Sequence, residues 1–316
     1  MSKGSNYYGG FFWVALISFV VPLFVGWKAF ENVRPTIKPT PQLDASGVDH
    51  RVWDYLLKSY VSAGLIDYEG MKKDYLFRDY IRQLGACDPG CLETEDEKLA
   101  LACNAYNALV INGVISHKIS DTVQGHFVKG VRVSVPEGEK VPENATSFFR
   151  IKEHIFAGET VSLDNIEHDM IRPTFGEPRI HVALVCAARS CPSIRAEAYV
   201  GSRVREQLQD QGVLFANNPE YVMFDAATNE LKLNSILNWY GSDFDASYPQ
   251  GGYLAWIAEL SADQTIQAAA QKAIQGQVAV GFFEYDWALN SQADPSESAG
   301  GAHKSGGFGS GSSPDE

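Results

Sequence analysis

Apolar residues along the chain fall into one unbroken block and then into periodic sets. From Gly4 to Trp27 no residue is charged, and FFWVALISFVVPLFVGW is nearly all apolar. A helix of about 20 such residues spans a bilayer, and Pro22 is tolerated in one. A cleaved secretory signal is the rival reading, although no small-x-small cleavage site is evident before Lys28. Residues 1–30 are therefore expected to be a retained N-terminal transmembrane helix. Pro35, Pro39 and Pro41 then stiffen a spacer over 31–43.

Beyond the spacer the pattern turns periodic. Val48, Trp53, Leu56, Leu57 and Tyr60 lie near helical spacing, and Tyr75 to Leu84 gives a second helix. Thr94 followed by Glu97 is a capping box that opens a helix through KLALACNAYNALVINGVI. That helix is apolar on most sides and so should be buried. Val128 to Val135 alternates like an edge hairpin strand. SFFRIKEHIFAGETVSLDNIEHDMIR predicts a strand, a turn at Gly158 and a helix from near Ser162, with Ser162 and Asn165 as cap-region residues.

Ile180 to Cys186 reads as a short apolar strand, and Pro192 suits the first turn of a helix running on through VREQLQDQGVLFAN. A hairpin turning at Thr228-Asn229 follows, then helices at Ser235–Tyr240, Gly252–Leu260 and Asp263–Ile274, and a last strand in VAVGFFEYDWALN. Helices outnumber strands without a regular βαβ repeat. The expected fold class is α+β, a mainly helical single domain over 44–290 around a small sheet. The Gly/Ser-rich stretch 291–316 cannot bury a core and is expected to be a disordered tail.

Charge narrows the function classes. The 316 residues carry a net charge of −13, so no basic face is expected for neutralising phosphates and no nucleic-acid partner is expected. The expected partners are the membrane, through the N-terminal helix, and an unidentified small molecule or peptide. Lys28, Arg34 and Lys38 follow the apolar block, which strictly counted favours a cytoplasmic domain. Long domains translocate despite such charges, and an extracytoplasmic, membrane-anchored domain is the expectation adopted.

Candidate chemistry clusters in a few segments. Asn104 and Asn107 share a face of the buried helix beside Tyr106. They either tie down a loop's backbone or line a polar pocket, since a buried amide without partners costs about 1–3 kcal/mol. Glu167 and Arg172 stand five apart, a poor helical pairing distance, so an inward Glu167 is expected to need Arg172, Arg179 or several donors. His168 reads as a surface residue.

RIHVALVCAARSCP holds His181, Cys186, Ser190 and Cys191. On a strand, His181 and Cys186 would lie roughly 16 Å apart on opposite faces. Cys191, as N-cap of a helix opened by Pro192, would be activated by exposed amides and the helix dipole, with Ser190 or nearby amides holding an oxyanion. The alternative is a Cys186–Cys191 disulfide, with Cys87–Cys91 similarly placed across Asp-Pro-Gly and Cys103 left free. Asp286 in EYDWALN either orients a histidine or caps a neighbouring element. No paired-His or C-x2-C metal spacing is present, and no cofactor is expected.

NAYNALVING, VSLDNIEHDMIRP, PRIHVALVCAARSCPSIRAEAY, LNSILNWYGSDF and EYDWALN together resemble the bacterial and plant family called domain of unknown function 547, over about Tyr60 to Asn290. The resemblance implies that Asn104, Tyr106, Asn107, Glu167, Arg172, His181, Cys186, Ser190, Cys191, Pro192, Tyr199, Asp286 and Trp287 belong together, and it implies no reaction. LALAC stands where the family has aromatics, and CDPGC is not a family feature.

Three functions are carried forward. The first is a cysteine-dependent hydrolase or acyl-transfer enzyme acting on an amide or ester. In it Cys191 is the nucleophile, His181 or another histidine the base, Asn104 or Asn107 the orienting or oxyanion group, and Glu167 a further catalytic group. Tyr106, Arg172, Arg179, Cys186, Ser190 and Asp286 would support or bind. The second is a non-catalytic ligand- or peptide-binding domain with a Cys186–Cys191 disulfide. The third is a metal-dependent hydrolase using His181, Glu167 and a cysteine.

Overall fold

The structure, a computed structural model, describes residue 38 and residues 42–136 and 139–293. The expected anchor at 1–30, most of the spacer and the tail from 294 onward lie outside the described residues.

Helix α1 (His50–Tyr60) starts at Asp49, whose carboxylate accepts the Arg51 N–H, and turns Val52, Trp53, Leu56 and Leu57 inward. The short pair β1 (Val61–Ser62) and β2 (Leu65–Ile66) leads into α2 (Tyr68–Lys73) and α3 (Tyr75–Ala86). Trp53 stacks on Tyr80 at 5.3 Å between ring centroids, joining α1 to α3. Helix α4 (Glu95–Ser116) opens on the Thr94/Glu97 capping box with three acids in its first turn, which the helix dipole favours. Among the described residues α4 is the one helix long and apolar enough to cross a membrane, yet it is 83% buried inside the domain. It is a core helix.

Two hairpins follow, β3 (His126–Val128) with β4 (Val131–Val133) and β5 (His154–Phe156) with β6 (Glu159–Val161). The chain then winds as a helix whose middle, Asn165–Ile171, is a π-helix, before the short α5 (Arg172–Phe175). Here the Arg172 N–H bonds the Glu167 carbonyl, five residues back. Pro173 has no N–H and its ring crowds the carbonyl four residues earlier, so a wider turn just before it relieves the conflict.

Helix α6 (Val204–Ala216), the hairpin β7 (Val222–Asp225) and β8 (Glu230–Leu233), α7 (Ile236–Tyr240), α8 (Gly252–Leu260), α9 (Gln264–Ile274) and β9 (Ala279–Phe282) complete the chain. Strand β9 pairs parallel with β8, making a three-stranded sheet, while the other sheets are two-stranded.

The mixed helical and sheet character is as expected, but the domain is not arranged around one sheet. Two apolar clusters carry it. One is built on α1, α3 and α4, and the other on α7, α8, α9 and β7 to β9. Ile180 belongs to the first cluster and Val182 to the second, so His181 sits on the seam between them.

Two local expectations are corrected. Residues Pro178–Val182 form a 3-10 turn, not a strand. The Asn107 amide satisfies the next backbone groups, donating to the Ala183 carbonyl at 3.0 Å and accepting the Val185 N–H at 2.8 Å. Residues 192–200 form no helix either, and α6 begins only at Val204. That segment is held extended by Asn104 and Gln207. Cys191 is therefore not a helix N-cap, and the dipole argument for its activation falls.

Candidate functional site

A cavity of about 20 Å³ lies at the seam, lined by Tyr106, Glu167, His181, Leu184, Cys186, Cys191, Ile236, Trp239, Tyr240 and Tyr285. It has room for about one water molecule. Helix α4 supplies Tyr106, the π-helix supplies Glu167, the 3-10 turn supplies His181, and the loop after it supplies both cysteines. Helix α7 and the segment beyond β9 supply the aromatic wall.

The His181 side chain is 1% exposed. Its Nε2 donates to Asp243 Oδ2 at 2.8 Å, and its ring stacks on Tyr240 at 4.3 Å with an interplanar angle of 1°. Nδ1 has no hydrogen-bond partner and stands 3.8 Å from Glu167 Oε1. Asp243 also receives two parallel bonds from Arg172, at 2.9 Å each. Burial opposes its charge, but the His181 and Arg172 donors outweigh that and hold its carboxyl well below the usual range. Arg172 lies 5.1 Å over the Tyr240 ring and donates to His168 Nδ1 at 2.8 Å. His168 is thus tied into the site.

The π turn explains why Glu167 and Arg172 act together. In an α-helix a spacing of five faces away, whereas the π turn links the two through a five-residue backbone hydrogen bond. Arg172 is held protonated chiefly by its hydrogen bonds to Asp243, with the Glu167 charge adding to them.

All five cysteines are free thiols, so neither Cys186–Cys191 nor Cys87–Cys91 is a disulfide in this structure. Cys191 Sγ accepts the Cys186 N–H at 3.0 Å, and Cys186 Sγ lies 3.1 Å from the Tyr285 hydroxyl. Burial pushes both thiols up. At Cys186, hydrogen bonds from the Cys191 thiol, Tyr285 and the Ala188 N–H outweigh burial and bring it below the ordinary value. At Cys191 the neighbouring sulfur adds to burial and drives the thiol well above it. The more acidic thiol of the pair is Cys186. Burial also raises Tyr106 and Tyr285 well above the usual phenol range, so both are protonated donors at neutral pH.

The structure brings together Tyr106, Glu167, His181, Cys186 and Cys191 in the cavity, with Arg172 behind Asp243. It does not bring the other sequence candidates there. Asn104 donates to the Tyr199 carbonyl at 2.8 Å and to His50 at 3.2 Å, and it accepts the Tyr199 N–H at 2.9 Å. With Asn107 on residues 183 and 185, both amides are loop clamps rather than oxyanion donors. Arg179 pairs with Glu177 through two bonds of 2.7 Å, not with Glu167. Ser190 Oγ accepts the Asp286 N–H at 2.8 Å, and Asp286 caps its own turn by accepting the Ala288 N–H at 2.9 Å. The carboxylate that orients the histidine is Asp243, not Asp286.

Sequence reading missed Asp243, Tyr240 and Trp239. Their only local signal was their place in NWYGSDF, and nothing local pairs Asp243 with a histidine 62 positions earlier. Among the described residues no group of three or more His, Cys, Asp or Glu side chains is arranged to hold a metal ion, so the metal-hydrolase reading lacks a ligand set.

A buried pair of unlike thiols beside a carboxylate-anchored imidazole, in a domain with a central amide-bearing helix, is the class these elements define. The family model described as "Protein of unknown function, DUF547" matches residues 91–215, and the chain is a DUF547 domain-containing protein. The matched stretch runs through α4, the π-helix, His181 and both cysteines, and it ends before Asp243. Neither a search of curated proteins nor one of solved structures found a match.

Proposed function

We propose that the domain is a cysteine-dependent hydrolase or acyl-transfer enzyme acting on an amide or ester, with Cys186 rather than Cys191 as the nucleophile. One observation carries the reading. His181 is held at Nε2 by Asp243, keeps a buried Nδ1 without a hydrogen-bond partner, and lines the same cavity as Cys186. A base oriented by a third group beside an acidified thiol is the arrangement nucleophilic catalysis needs.

The Cys186 sulfur attacks the substrate carbonyl carbon. The protonated hydroxyls of Tyr106 and Tyr285 are the donors available to the developing oxyanion. His181 Nδ1 takes the proton that the Cys186 thiol loses as its sulfur attacks, and passes it to the leaving amine or alcohol. Water, or a second acceptor nucleophile, then cleaves the thioester with His181 as base. An amide or ester is larger than the cavity, so access requires the half-buried Trp239 in its wall to swing aside. The domain is proposed to work tethered to a membrane, a reading that rests on the uncharged block from Gly4 to Trp27.

The test is labelling of the full chain by a small electrophilic thiol probe, followed by screening of amide and ester substrates. Labelling at Cys186 that is lost in Cys186→Ser and weakened in His181→Ala supports the reading. Undiminished labelling in Cys186→Ser, or none at residue 186 in the wild type, overturns it.

A non-catalytic binding role has one observation in its favour. A hollow of about 270 Å³, lined mainly by apolar side chains including Leu101, Phe156, Ile166, Met170 and Phe175, is walled in part by the π-helix.

A further inference from the structure

We propose that Cys186 and Cys191 form a peroxide-sensitive dithiol, in which a hydroperoxide oxidises Cys186 and Cys191 closes on it as a reversible disulfide. The oxidation itself stands apart from the proposed hydrolase chemistry. Only its effect on activity rests on that reading.

Three features of the cavity point to it. First, the two cysteines are already hydrogen-bonded, since Cys191 Sγ accepts the Cys186 N–H at 3.0 Å, and Cys191 is among the groups that lower the Cys186 thiol. A more acidic thiol with a less acidic one beside it is the arrangement of an attacking and a resolving cysteine. Second, the space beside them selects for size. Both side chains are buried, at 7% and 3% exposure, and the cavity of about 20 Å³ admits a molecule the size of water or hydrogen peroxide but not a bulky disulfide. Third, the surroundings assist the chemistry. The Tyr285 hydroxyl stands 3.1 Å from Cys186 Sγ, and His181, whose Nδ1 has no hydrogen-bond partner, lines the same cavity.

The steps balance. The Cys186 thiolate attacks one peroxide oxygen and the O–O bond breaks, giving Cys186 sulfenic acid and a hydroxide or alkoxide that takes a proton from solvent. The Cys191 thiol then attacks the sulfenic sulfur. The S–O bond breaks, the S–S bond forms, and the Cys191 proton leaves with the hydroxyl as water. An external dithiol reduces the disulfide and restores both thiols. Sulfur is oxidised, peroxide is reduced, and no other reactant is needed.

The remaining cysteines provide internal controls. Cys91 is exposed, but its thiol is raised by the hydrogen bond to Asp88. Cys87 and Cys103 are buried and pushed up to about 11 and about 12.

The reduced full chain is treated with equimolar hydrogen peroxide, quenched, and mapped by peptide mass. The expected result is loss of two hydrogens across a 186–191 link, reversed by dithiothreitol, with Cys186 oxidised at least about 10-fold faster than Cys91. A bulky maleimide should show the opposite order, labelling Cys91 first. In Cys191→Ser, unfolding the peroxide-treated chain in denaturant that contains dimedone should trap a sulfenic acid at Cys186. The proposal is overturned if Cys91 oxidises first while residues 186 and 191 stay reduced, or if Cys191→Ser yields no trapped sulfenic acid. The wild-type map needs no variant to fold, and none of these readouts depends on hydrolysis. If peroxide also abolishes probe labelling and dithiothreitol restores it, the switch gates the proposed enzyme.

Discussion

His181 and Asp243 are joined at 2.8 Å from an imidazole Nε2 to a carboxylate oxygen, across the seam between the two apolar clusters. Tyr240 stacks flat on the same ring and fixes its plane. Asp243→Asn keeps the shape and removes the charge that selects the Nε2–H tautomer. The expected outcome is a fall in kcat/KM of roughly 10²–10⁴-fold on any substrate found by the probe screen, with KM moving less. Steady-state kinetics on the variant decides it, and an unchanged kcat removes Asp243 from the mechanism.

The same carboxylate makes a pH prediction. Its folded-state pKa lies below the ordinary value of 3.8, because the His181 and Arg172 donors outweigh burial. Stability from this group is therefore present above about pH 4 and lost as pH falls toward the folded value. Melting temperatures measured from pH 7 down to about pH 2 should show a shallower acid limb in Asp243→Asn than in the wild type. Glu177, depressed by Arg179 and Arg205, leaves part of the slope in place.

Asn104→Ala should act on folding rather than chemistry. It orphans the buried N–H and carbonyl of Tyr199, at about 1–3 kcal/mol for each group left unpaired. Urea denaturation at neutral pH should report a lower midpoint. Asn104→Asp, which keeps the acceptor for the Tyr199 N–H at 2.9 Å, should recover part of the loss.

Gly201 predicts a steric limit of another kind. A Cβ there would meet Glu97 at 2.9 Å from its Cα and 3.1 Å from its backbone nitrogen, atoms that belong to the first turn of α4 and cannot rotate aside. Gly201→Ala should cost about 1–3 kcal/mol. A denaturant midpoint equal to the wild type would show that residues 199–203 can back away from α4.

Elements with a local signal were readable. The Thr94/Glu97 capping box, the face of α1 and the hairpin turning at 228–229 are each set by residues within one or two turns of one another. The site was readable as a set of residue types but not as an arrangement. The apolar run 180–186 has strand composition, but its backbone partners come from the side chain of Asn107, so a hydrophobic pattern alone could not separate a strand from a clamped loop. Residues 192–200 have helix formers, and Asn104 and Gln207 hold them straight from a distance. The helix invoked to activate Cys191 is absent, so that reason for choosing it falls.

The π turn in 165–171 amounts to one residue more than a plain α-helix between the same ends. Excising a single residue there, for instance Met170, would let the backbone close into an ordinary spiral, at the expense of rotating Glu167 relative to Arg172 by about 100° about the axis. The segment's length is thus a tuning parameter in its own right. A one-codon deletion could leave a well-folded, even sturdier, protein in which Glu167 no longer lines the cavity while Arg172 holds Asp243.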